Sequence, residues 1–151
     1  MISDGEAAIS VGFENTQGYK DALQDACRDG GTQYLQDGVK SAQVYGMLKE
    51  KVDLSRKTLI YVASPGQLQV VYQAIRNYPD YMGLFPDTLG LVGFDVEGWT
   101  RMTTPAISAI ITPAYQEGVR AMEELVDVLD GKKREGDVVF KNIVKWRETT
   151  L

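Results

Sequence analysis

The chain offers few side chains with chemistry in them, and their types narrow what it does. Asp95 closes the apolar run Leu89-Gly-Leu-Val-Gly-Phe-Asp95. Open α/β sheets bind ligands outside the carboxyl ends of their strands. An ionised aspartate there accepts hydrogen bonds only, which suits the hydroxyls of a sugar. Aspartate after a strand is equally a turn or N-cap residue. Ser64 ends a second apolar strand, Thr58-Leu-Ile-Tyr-Val-Ala63, and as a serine before Pro65 it also reads as an ordinary helix start. Trp99 could stack on the apolar face of a sugar, plug a dimer seam, or fill the underside of its own loop.

Catalysis is poorly provided for. The chain has no histidine, which removes the commonest general base and the Ser-His and Cys-His nucleophile pairs. Glu14, Asp95 and Glu97 would supply a carboxylate pair for glycoside hydrolysis, but with 21 acids among 151 residues such a pairing arises by chance. Gly90 and Gly93 lie inside a strand, the wrong setting for a phosphate cradle, and the 130–136 segment is a turn, not a nucleotide loop. No metal or cofactor is called for. The expectation is a binding module, not an enzyme.

The elements that would position these residues alternate along the chain. A helix is expected from about Ser10 to Asp29, ended by Gly30-Gly31, with a strand over 7–13 as the alternative. Thr32–Leu35 reads as a strand, Lys40–Lys51 as a helix, Thr58–Ala63 as a buried strand, and Pro65 to about Tyr78 as a helix. Strands follow at Leu89–Phe94 and Ile107–Ile111. Tyr115, Val119, Met122, Val126 and Leu129 then mark an amphipathic helix ended by Gly131, with an extended segment over Val138–Trp146. Strand–helix alternation predicts an α/β fold, a Rossmann-like parallel sheet with helices on both faces.

Composition fits one soluble domain or lobe: 44% hydrophobic, 25% charged, and without the ~20 uninterrupted apolar residues of a membrane span. The net charge of −5 and the single basic cluster, Lys132-Lys133-Arg134, argue against direct DNA binding. Cys27 is a lone cysteine, so cytoplasm is the expected location.

Six segments in order resemble the C-terminal half of the effector-binding region of LacI/GalR (lactose-repressor) transcription regulators. They are Gly18–Leu23, Leu59–Pro65, Phe85–Asp95, Pro105–Thr112, Pro113–Gly118 and Lys145–Thr149. The resemblance implies the C-terminal lobe of a periplasmic-binding-protein type I fold over residues 1–151. The DNA-binding helix-turn-helix and most of a first lobe would lie outside the chain, and the 113–131 helix would pack on that first lobe. It implies a sugar or sugar-acid effector held by Asp95, Ser64, Asn15, Ser10 and Thr112, with Trp99 beside them. It implies a homodimer through Leu68, Val71, Tyr72, Met102 and Pro105, and operator DNA as a partner only through the missing head. Asn15 replaces a family arginine, Ser64-Pro65 a frequent Asn-Asp, and Thr112 a crossover glutamine, so the effector is left open. A periplasmic sugar-binding protein shares the fold and is the alternative reading; an α/β hydrolase acting through Asp95 is the third.

Overall fold

A computed structural model describes residues 2–4, 11–26, 30–31, 33–35, 38–95, 98–132 and 136–151. Within them six strands form one sheet in the order β2-β1-β3-β4-β5-β6: β1 (Ile2–Asp4), β2 (Gln33–Leu35), β3 (Thr58–Val62), β4 (Leu89–Asp95), β5 (Ser108–Ile111) and β6 (Ile143–Lys145). The first five are parallel, and β6 runs antiparallel to β5. The helices are α1 (Val11–Asp25), α2 (Ser41–Lys51), α3 (Pro65–Ile75) and α4 (Ala114–Leu129). The expected parallel α/β sheet is present. The 3-residue β1 is second from one edge of the sheet, pairing with both β2 and β3. Residues 11–13 are helical, against the strand alternative; 7–10 and Cys27 lie outside the described residues.

The β-branched and aromatic run of β3 pairs with β4 along its whole length, Ile60 beside Leu91 and Val62 beside Gly93. Side chains alternate across a strand, so these four share one face. That face meets α2 and α3, whose Val44, Leu48, Leu68, Val71 and Ile75 complete the core. Gly93 allows α3 to approach: a Cβ there would lie 2.7 Å from Leu68 Cδ1. The glycines of the β4 run therefore serve packing, as their strand setting suggested.

The opposite face is thinner. Tyr19 of α1 stacks on Tyr61 of β3 at 5.9 Å, and Tyr61 meets Phe94 at 6.4 Å, while Leu59 stays 60% exposed. On the far side, the expected extended segment over 138–146 contracts to β6, whose three residues are all exposed.

The C-terminal tail closes the sheet. Thr149 is fully buried; its hydroxyl donates to the Leu91 carbonyl at 2.7 Å and accepts from the Ser108 amide at 2.9 Å. Its own carbonyl accepts from the Leu91 amide at 3.2 Å, so the tail ties the base of β4 to the base of β5. Thr149→Val preserves shape but strands a buried donor and acceptor. The expected loss is about 1–3 kcal/mol, read as a lower urea midpoint at unchanged slope.

Candidate functional site

The parallel strands aim their carboxyl ends the same way, so the segments after β3, β4 and β5 line one edge of the sheet. Ser64 follows β3 and begins α3; Thr112 follows β5, just before α4. Both are partly exposed at that edge. Asn15 falls in the first turns of α1, but its side chain, like the whole of Ser10, lies outside the described residues.

Asp95 takes one of the two places open to it. It shares the α3 face with Leu91 and Gly93 because it is an even number of residues away, and it is 1% exposed. The chain after β4 folds over that face as a 3-10 turn, Trp99–Met102. Its donors converge on the carboxylate. The Gly98 amide reaches Oδ1 at 2.7 Å, the Thr100 amide reaches Oδ2 at 3.3 Å, and the Thr100 hydroxyl donates to Oδ2. Gly98 makes the turn possible with φ of 80°, a left-handed value that glycine adopts without strain. Of the two roles open to Asp95 from sequence, the geometry is that of the turn residue. Its carboxylate is turned inward onto that turn.

Trp99 takes one of the three places open to it from sequence. It is half-buried against the core, 6.3 Å from Tyr72 with the rings tilted by 51°, and so fills the underside of its loop. Four of the five residues expected at a dimer seam are also interior. Leu68 and Val71 have no exposed surface, because the helical period of α3 turns 68, 71, 72 and 75 inward together. Tyr72 is buried with its hydroxyl donating to the Thr104 carbonyl at 3.1 Å, where Tyr81 also donates at 3.2 Å; burial lifts the Tyr72 hydroxyl above its ordinary pKa. Pro105 is buried too. Met102, 72% exposed, is the one that faces solvent.

One feature escaped the sequence reading. A cavity of about 610 Å³ opens between α1, α2 and β3, lined by Tyr19, Met47, Lys51, Arg56 and Thr58 among others. Thr58 and Gln33 begin their strands, so this cavity lies at the edge opposite Ser64 and Thr112. The helix α4, whose apolar stripe the sequence marked, buries none of its residues: Tyr115, Met122 and Leu129 are 81%, 59% and 76% exposed. Arg120 bridges Glu123 and Glu124 on its polar side. Among the described residues no cluster of His, Cys, Asp or Glu could hold a metal, and no helix is long and apolar enough to cross a membrane.

Compared with known proteins, the chain matches no family sequence profile and no curated relative. Solved structures do match it. A LacI-family regulatory protein from Chloroflexus aggregans superposes with a TM-score of 0.77 at 22% identity over 99% of this chain and 53% of its own. A dimeric Lac repressor lacking 11 C-terminal residues gives 0.78 at 17% identity, over 99% and 54%. A periplasmic binding protein/LacI regulator from Alkaliphilus metalliredigens, complexed with D-xylulofuranose, gives 0.70 at 17%, over 90% and 50%. The fold is that of the LacI-type effector-binding region. The chain spans about half the length of these structures.

Asp95→Asn puts an amide NH₂ where two donors of the turn now converge. Trp99 emission, read in a Trp146→Phe background, is expected to move to longer wavelength, with about 2–4 kcal/mol lost in urea unfolding. Unchanged emission and stability would contradict the turn-holding role.

Proposed function

We propose that this chain is the C-terminal effector-sensing lobe of a LacI-type transcription regulator and supplies one wall of a cleft for a sugar or sugar derivative. The observation that carries the proposal is the convergence of three strand ends at one edge of a sheet that superposes, over nearly its whole length, on such regulators. In this reading Ser64, Thr112, Ser10 and Asn15 are the hydroxyl and amide groups that meet the ligand. Asp95 acts one step back by holding the turn that forms the wall between them. Hydroxyls and amides without a fixed charge suit a neutral polyol better than an anion.

The unpartnered face of α4 fits the same reading. Its apolar arc runs through Tyr115, Val119, Met122, Val126 and Leu129, with Leu125 and Val128 widening it, and is the surface on which a first lobe would pack. In the 151-residue chain on its own, that face drives self-association. At roughly 25 cal/mol per Å², leaving several such side chains in water costs several kcal/mol. Operator binding belongs to a DNA-reading head and is not expected of this lobe.

Two measurements test the proposal. Calorimetric titration with pentoses, hexoses, disaccharides and sugar acids is expected to give saturable heat with at least one neutral sugar. One wall of a cleft makes about half the contacts, so the dissociation constant should be near millimolar. Ser64→Ala with Thr112→Ala should weaken that binding about tenfold. No heat across the panel, or no effect of the double substitution, rejects the assigned wall. By light scattering the chain is expected to be a dimer or larger, and Met122→Glu with Val126→Glu to return it to a monomer. A monomer at all concentrations before substitution would refute the role given to α4.

A further inference from the structure

We propose that Arg147, on the tail that returns from α4 and β6, is the positioning residue for the turn after β4, acting on Asp95 through Thr100. The inference goes beyond the effector reading and does not depend on it. The Arg147 guanidinium donates through one nitrogen to the Thr100 hydroxyl at 2.8 Å and to the Ile107 carbonyl at 2.5 Å. The Thr100 hydroxyl in turn donates to Asp95 Oδ2. Thr100 has no exposed surface, and Asp95 has 1%. A threonine hydroxyl has one proton and is free to rotate. Occupying a lone pair with a guanidinium N–H leaves that proton directed at the carboxylate, so the cation fixes the rotor that the anion needs. Positive charge, hydroxyl and negative charge in series polarise one another, and a site screened from water strengthens each link.

The tail is anchored independently on both sides of Arg147. The Arg147 amide donates to Ser108 Oγ at 2.7 Å, and the Ala106 amide donates to Glu148 Oε2 at 2.7 Å. Thr149 continues the lock against β4 and β5. The backbone therefore presents Arg147 at a fixed place, and the guanidinium carries that position 47 residues back in sequence to the end of β4. Glu148 supplies a natural control. It holds the same tail but its contact runs to Ala106, not toward Asp95.

Amide hydrogen exchange at Gly98 and Thr100, the two amides bonded to the Asp95 carboxylate, tests the proposal in the whole chain. Arg147→Ala and Thr100→Val are each expected to speed exchange at both amides about tenfold or more, and combining them should add little to either alone. Glu148→Ala should change them less than about twofold. Arg147→Lys keeps the charge without the planar fork and should restore only part of the protection. Protection unchanged in either Arg147→Ala or Thr100→Val, or lost equally in Glu148→Ala, would overturn the assignment. Should Arg147→Ala not fold, Arg147→Lys and Thr100→Val carry the same comparison, with full protection in both overturning it.

Discussion

The two-residue repeat of β4 decides more of this molecule than any other feature. It sends Leu91, Gly93 and Asp95 to one face, where Leu91 enters the core, Gly93 admits α3, and Asp95 meets the turn folded over the strand end. A carboxylate buried to 1% needs donors, and the turn supplies three. The path from Trp99 to Met102 follows from that need, as does the inward seat of Trp99. The tail then meets the same turn from the other side through Arg147. One strand register thus ties the centre of the sheet, the loop after β4 and the last residues of the chain into a single polar network.

Burial is distributed unevenly around that network. The face carrying α2 and α3 is closed, with Val44, Leu68, Val71, Ile75, Leu91 and Ile107 at or near zero exposure. The α1 face leaves Leu59 open, and α4 contributes no buried residue. A helix whose apolar arc is so wide gains little from its own hydrogen bonds in water, since tertiary packing supplies most helical stability. The solved structures on which the chain superposes are about twice its length.

That likeness holds at 17–22% identity. Such distance is tolerable because the fold depends on the pattern and approximate volume of buried residues more than on their identities. The edge at the carboxyl ends of the strands has no such protection. Ser64 and Thr112 are partly exposed polar residues outside the core, so shared architecture does not carry a shared ligand with it.

Alternation of strand and helix, the apolar runs of β3 and β4, and the stripe of α4 were written in the sequence, because hydrophobic period follows backbone geometry directly. The segment order that resembles LacI-type regulators was equally legible, as was the strand role of Gly90 and Gly93. The direction of the Asp95 carboxylate was not: both a turn and a ligand site place aspartate after a strand, and only the packed turn decides between them. Leu68 and Val71 read from sequence as seam or as core for the same reason, since a helix face reads as apolar whether its cover is the chain's own sheet or another subunit. The link from Arg147 to Thr100 spans 47 residues and rests on one side-chain rotor. Local pattern specifies elements; which distant groups meet is settled only when the elements pack.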